Sequence, residues 1–173
     1  NLKLGEATVT SLGSTLTENT GTIHYDYEGN QTVISETYYN LTINNATGVK
    51  TAGGALDIDG DLTVTAGTLA MGSNGADVAS GKTVDIDGTL SITTGTFTAN
   101  GSTSDIDGTL TINGAGIYDA DGTFDGTNGT IQFTGSGGTL RLGGATVTSI
   151  GSGFVHGTGT VEYDYFGNQS VKA

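Results

Sequence analysis

Apolar and polar residues alternate along short stretches of this chain, which indicates β-strands that are buried on one side only. In the stretch LDID at 56–59, the leucine and the isoleucine can point inward while both aspartates point outward. The stretches LTVT at 62–65, TLSI at 89–92 and TLTI at 109–112 follow the same period of two. Helix-forming runs rich in Leu, Glu, Lys and Ala are missing. The pattern therefore predicts an all-β protein.

Glycine and threonine punctuate these stretches. The 173 residues include 31 glycines and 32 threonines, but no proline and no cysteine. Threonine, like valine and isoleucine, favours strands. We expect the Gly-Thr pairs that begin at Gly67, Gly95 and Gly129 to form corners between strands, where glycine supplies a positive φ. The lack of cysteine excludes a disulfide framework.

The beginning of the chain is repeated, without a gap, at its end. LKLGEATVTSLGS at 2–14 matches LRLGGATVTSIGS at 140–152, and TGTIHYDYEGNQTV at 20–33 matches TGTVEYDYFGNQSV at 158–171. Residues 1–35, called the N-terminal copy below, share 20 identities with residues 139–173, the C-terminal copy. We interpret residues 1–138 as one full period and residues 139–173 as the start of the next period in a tandem array.

A finer repeat lies inside the period. The tetrapeptide DIDG occurs at 57–60, 85–88 and 105–108, and each occurrence precedes a strand-like run. Such short periods are typical of β-solenoids. The spacings predict a right-handed parallel β-helix of about 20–28 residues per coil, with about six coils and about 29 Å of rod per period. The alternative is a string of tandem β-sandwich modules.

One long segment carries a family resemblance. The stretch GTIHYDYEGNQTVISETYYNLTINNATGVKTAGG, followed by LDIDGDLTVTAGTL, resembles the strand-repeat regions of giant secreted surface proteins of Bacteroidetes-type bacteria. The resemblance is good over about residues 21–70 and looser elsewhere. More distantly, the chain looks like filamentous-haemagglutinin-type adhesins. The resemblance implies a cell-surface, stalk or adhesive role and implies no catalytic residues.

The charge of the chain limits its partners. The formal net charge is −13, and a field of that sign repels phosphate backbones and anionic lipids. Nucleic acid is therefore not an expected partner. No stretch of 18 apolar residues is present, so no membrane insertion is expected. The chain begins at Asn1 without a signal peptide, and we expect a mature or excised piece of a secreted, cell-surface protein.

The aspartates of the DIDG repeats are the candidate metal ligands. In a solenoid, we expect them to stack as two columns, namely Asp57, Asp85 and Asp105, and Asp59, Asp87 and Asp107. Each stacked pair would repel by about 3 kcal/mol before salt screening. A bound Ca²⁺ would reverse that sign, because it prefers carboxylate and carbonyl oxygens. The alternative is that the carboxylates turn to solvent or accept hydrogen bonds from threonines and turn amides.

Other chemistry has weaker support. The tyrosines of YDY at 25–27 and 163–165, together with Tyr38 and Tyr39, can bind glycans, but such tyrosines more often cap a β core. Thr-x-Thr runs such as Thr63/Thr65 resemble ice-binding arrays without their regular lattice. The histidines are not equivalent in the repeat, no Ser-His-Asp set is suggested, and we expect no enzyme. A polysaccharide-degrading enzyme is only a fold-level analogy.

Together these observations predict a structural repeat unit of an extracellular filament or cell-surface rod. Its ends would pair with a further copy of the repeat, because an open solenoid end exposes unpaired strands. The alternative function is an adhesin stalk that binds glycans or another surface.

Overall fold

The fold is a stack of parallel β-strands. A computed structural model describes residues 1–13 and 19–171. Over these ranges the chain forms nineteen strands and no helix, and the parallel sheets stack as a β-solenoid of about seven turns. The all-β solenoid prediction is confirmed. The β-sandwich alternative is wrong, because sandwich sheets are antiparallel. Within the described ranges, no helical segment exists that could cross a membrane.

The strands form three columns, which we call the first, second and third faces. The first face contains β1 (Leu2–Leu4), β2 (Thr22–Tyr25), the first parts of β5 (Asn40–Ala52) and β7 (Leu62–Gly72), β9 (Thr83–Ile86), β12 (Thr103–Ile106), β15 (Phe124–Asp125) and β18 (Val147–Ser149). The second contains β3 (Gln31–Val33), the later parts of β5 and β7, β10 (Thr89–Ile92), β13 (Thr109–Asn113) and β16 (Thr130–Thr134). The third contains β4 (Thr37–Tyr38), β6 (Leu56–Ile58), β8 (Ala76–Val78), β11 (Thr96–Asn100), β14 (Ile117–Ala120), β17 (Thr139–Leu142) and β19 (Thr160–Tyr163).

The core is a set of axial columns made by every second residue of each strand. On the first face Leu41, Leu62 and Val84 are register partners, and all three are fully buried. Full burial of such a side chain contributes about 1.5–3 kcal/mol. Each turn therefore relies on the turns above and below it to cover its apolar side chains.

One corner position behaves as expected and two do not. Gly67 has a φ of 79°, as predicted. Gly95 and Gly129 have no positive φ, and the reason for glycine there is close packing between turns. A Cβ at Gly95 would collide with the carbonyl oxygen of Asn74, and one at Gly129 with that of Ile106. These glycines let one turn lie directly on the turn before it.

The turns are shorter than the longer DIDG spacing suggests. On the first face Leu62 is the register partner of Val84, and Val84 is the register partner of Ser104. Counted between register partners on the first face, most turns take about 20–22 residues, the turn from Ile23 to Leu41 takes 18 and the turn from Phe124 to Val147 takes 23. The spacing between the first two DIDG copies joins Asp57 on the third face to Asp85 on the first face, so it measures one turn plus one further face. The observed turns therefore lie at or near the lower end of the expected range of about 20–28 residues.

Candidate functional site

An acidic column runs up the first face. Asp85, Asp105 and Asp125 are register partners on β9, β12 and β15, and we call them the acidic ladder. Burial, and after it the charge of neighbouring aspartates, raises the pKa of both Asp85 and Asp105. The predicted stacking of Asp85 on Asp105 is confirmed. Asp125, which is outside the DIDG motif, was missed.

Asp87 and Asp107 extend this acidic surface at the corner after the ladder strands. They directly follow Ile86 and Ile106, which are register partners, so their stacking is as predicted. The amide of Asn128 donates a hydrogen bond of 3.0 Å to a carboxylate oxygen of Asp107. The column of Asp87 and Asp107 therefore ends at the neutral amide of Asn128, which offsets part of the repulsion between the two carboxylates.

Asp57 and Asp59 do not join these columns. Asp57 lies on the third face, where its register partners are Thr37 and Asp77, and Thr37 Oγ1 donates a hydrogen bond of 3.2 Å to it. Asp59 follows on the same face. The predicted stacking of these two residues on the later DIDG copies was wrong, because the longer spacing after the first copy moves the motif to another face.

The acidic surface holds fewer close carboxylates than a metal site needs. Within the described ranges, no group of three or more His, Cys, Asp or Glu side chains is arranged to hold a metal ion. Ca²⁺ binding at Asp57, Asp59, Asp85, Asp87, Asp105 and Asp107 stays a prediction. What the geometry provides is a row of like charges at the strand spacing of about 4.8 Å.

Two tyrosines of the predicted glycan patch, Tyr25 and Tyr38, belong to the core. Tyr25 and Tyr38 are fully buried, and their hydroxyl oxygens are 2.9 Å apart. The N–H of Ile34 donates to the Tyr25 hydroxyl, and the Tyr38 hydroxyl donates to the carbonyl of Ile34. These two rings are therefore placed to stabilise the turn, while Tyr27 and Tyr39 are half-buried.

The described residues of the two copies share one strand pair and one set of glutamine contacts. Leu2 on β1 is the register partner of Ile23 on β2, and one period later Leu140 on β17 is the register partner of Val161 on β19. The glutamines at 31 and 169 are also equivalent. Gln31 donates to the carbonyls of Leu4 and Glu6 at 2.8 Å, and Gln169 to the equivalent carbonyls of Leu142 and Gly144 at 2.9 and 2.6 Å.

The copies nevertheless lie on different faces. The β1–β2 pair is on the first face, whereas the equivalent β17–β19 pair is on the third. The local fold is therefore set by the copy's own residues and not by the face it occupies.

A cation marks the first strand of each copy. Lys3 lies 4.0 Å from Asp26 in the N-terminal copy. Its equivalent, Arg141, contacts Asp164, the equivalent of Asp26, at 3.5 Å, and also Glu162 at 3.0 Å and Asp119 at 3.1 Å. Arg141 thus connects the last full turn of one period to the first turns of the next.

A buried lysine fastens β5 to the N-terminal copy. Lys50 is fully buried, and its Nζ donates to the carbonyls of Tyr27 and Gly29, each at 2.8 Å, and of Thr47 at 3.3 Å. Burial lowers the pKa of Lys50. Sequence reasoning did not identify this residue. No usable signal for it lies in the sequence, because alternation counted from apolar Val49 would place Val49 inward and Lys50 outward, whereas Val49 is exposed and Lys50 buried.

No protein-family model, no curated protein and no solved structure matches this chain. The resemblance to bacterial surface proteins therefore stays a prediction. The solenoid itself rests on the strand pairing described above.

Proposed function

We propose that this chain is a structural repeat unit of an extracellular rod, in which successive periods continue one solenoid. The observation that carries the proposal is that the same strand register and the same glutamine hydrogen bonds recur one period apart. A period that ends by rebuilding its own beginning can be extended without a new kind of contact.

The geometry suits a load-bearing element. Parallel ladders connect each turn to the next on all three faces, so tension along the rod is shared among many backbone hydrogen bonds. The strongly acidic surface, with a net charge of −13, favours solubility and keeps parallel rods apart. Secretion to a bacterial cell surface and a stalk role belong to this proposal and are supported by the sequence resemblance alone.

The alternative function, an adhesin stalk that binds glycans, has less support. The burial of Tyr25 and Tyr38 removes two aromatic rings from the surface that glycan binding would use. The absence of catalytic activity is part of this proposal and rests on the sequence analysis alone.

The test compares proteins of one, two and three periods. One period, counted from β1 to β17, is six and two-thirds turns. At about 4.8 Å per turn, each added period should therefore lengthen a single rod by about 32 Å in small-angle X-ray scattering and electron microscopy. Independent beads with a flexible connection, or a compact particle, would contradict the rod. Antibodies to the acidic ladder should label intact source cells, and labelling only after lysis would contradict an extracellular role.

A further inference from the structure

The layer formed by the C-terminal copy is exposed, whereas the same layer in the N-terminal copy is covered. Val33 is fully buried beneath β5, but its equivalent Val171 is 73% exposed. Val155 and Phe166 on the same end are 51% and 103% exposed. Val171 therefore lacks the cover that β5 supplies to Val33, whereas Glu28, the equivalent of Phe166, is exposed in the N-terminal copy as well.

The same end repeats the turn that receives Lys50. In the N-terminal copy the N–H of Gly29 donates to the carbonyl of Tyr27 at 2.9 Å, and this turn holds the ammonium group of Lys50. In the C-terminal copy the N–H of Gly167 donates to the carbonyl of Tyr165, also at 2.9 Å. The C-terminal end thus presents both the strand and the carbonyl turn against which a β5 segment packs.

We infer that this end binds the β5 segment of a second copy of this sequence, and that the second copy is rotated about the rod axis by one-third of a turn. The inference rests on the proposed function and adds to it the register and orientation of the contact. The segment that binds is residues 36–52 of the second copy. It follows the C-terminal copy along the chain, just as residues 36–52 follow the N-terminal copy.

The rotation follows from the positions of the two copies. Starting at β1 on the first face, six full turns lead to β15 on the same face. β16 then lies one face further along the chain, and β17, the equivalent of β1, lies two faces further. One period is therefore six and two-thirds turns, and the step from β2 to β19 gives the same number. For a period that spans 1–138, this corresponds to about 21 residues per turn, which lies within the range of β-solenoid repeats. Three periods then complete twenty turns and restore the starting face.

The rotation changes what the rod displays. An acidic ladder recurs once per period, about every 32 Å at 4.8 Å per turn. Each ladder points one-third of a turn away from the one before it, so three successive ladders face all sides of the rod. A surface or partner on any side would meet one ladder in about every 96 Å.

Disulfide cross-linking tests the contact. The test protein is residues 1–173 followed by residues 36–173 of a second copy, and it has no native cysteine. Outward-facing His24 and Thr42 are register partners in the first copy, so the repeat predicts that Glu162 lies beside Thr42 of the second copy. Glu162→Cys together with Thr42→Cys in the second copy should form a disulfide in most molecules, since neighbouring strands lie within disulfide reach.

Two further cysteine pairs complete the test. His24→Cys with Thr42→Cys in the 173-residue chain is the matched positive control. Ser170→Cys with Thr42→Cys in the second copy should stay reduced, because Ser170 is the equivalent of Thr32, which pairs with Thr51. A disulfide at Ser170 would overturn the rotation, and no disulfide at either position would overturn the contact.

Electron microscopy separates the inference from the function on which it rests. Helical reconstruction of a cysteine-free protein with many periods should give a rise of about 32 Å and a rotation near one-third of a turn per period. A continuous rod with another rotation would overturn the inference and leave the proposed function intact. Separate beads would overturn both.

Discussion

The acidic ladder gives a prediction that separates repulsion from metal binding. Asp105 lies between Asp85 and Asp125, each one strand spacing away, so Asp105→Asn removes two like-charge contacts. Because Asp105 is exposed, the dielectric constant of water applies, and each pair at about 4.8 Å costs about 0.9 kcal/mol instead of the value of about 3 kcal/mol expected for an effective dielectric constant of about 20. Physiological salt reduces this to about 0.5 kcal/mol. We therefore expect Asp105→Asn to raise the free energy of unfolding by about 1 kcal/mol at pH 7.

The pH dependence has a definite sign. Because the folded-state pKa of Asp105 is raised above its ordinary value of 3.8, the folded protein binds the proton more tightly than the unfolded chain. The repulsion therefore costs stability above the folded pKa and disappears as the pH falls below 3.8. The advantage of Asp105→Asn should vanish with it. Thermal unfolding followed by circular dichroism should show a gain of about 3 °C at pH 7 and a smaller gain in 1 M salt.

Matched measurements make the prediction refutable. Asp59→Asn is the control, since this exposed aspartate follows β6 of the third face and is not a register partner of the ladder residues, and its replacement should change little. All measurements are made first with a chelator. A loss of stability for Asp105→Asn under those conditions would refute the repulsion argument. If the ladder binds Ca²⁺, added calcium should raise the melting temperature of the wild type, and Asp105→Asn should reduce that rise.

Three other substitutions test the contacts that hold the turns together. Lys50→Met should lower the free energy of unfolding by about 3 kcal/mol in urea titrations, because it leaves buried carbonyls without a donor. A loss no larger than that of Lys3→Met, at a side chain that is 71% exposed, would contradict the role. Arg141→Met should cost at most about 1 kcal/mol and less in 1 M salt, as expected for a half-exposed ion-pair network; a salt-independent loss would contradict it. Tyr118→Phe should cost about 1–2 kcal/mol, because the Tyr118 hydroxyl donates a buried hydrogen bond of 2.8 Å to Ser104. Adding Ser104→Ala should restore part of that loss in a double-mutant cycle, and strict additivity would contradict the coupling.

The alternation of residues was sufficient to predict the strands but not the faces they occupy. In LTVT at 62–65, the first and third residues point inward as expected. Spacing alone does not separate one turn from one turn plus one face, since both lengths join similar strand-like runs. Asp57 shows the consequence, because its motif is the same as that of Asp85 while its neighbours are Thr37 and Asp77.

Buried polar contacts were harder to predict because they depend on the turn above or below. Lys50 points inward although alternation from Val49 predicts the opposite, and its stabilising partners at Tyr27 and Gly29 are carbonyls of the preceding turn. Likewise, the glutamines at 31 and 169 are visible as repeat matches, but only the fold shows that both bind carbonyls of their copy's first turn. To predict contacts along the axis, one must know the number of residues in each turn, and composition does not give that number.

The overlap between the two copies determines how periods can join. Residues 139–171 repeat the strand pair and the glutamine contacts described for residues 1–13 and 19–33, so a second 173-residue chain that stacked in the repeat register would have to displace its own N-terminal copy. In-chain continuation requires no such displacement and uses every contact that β5 makes with the N-terminal copy. Under the proposed function, we therefore expect successive periods to continue within one chain. Separate chains could join in this register only by exchanging their terminal turns.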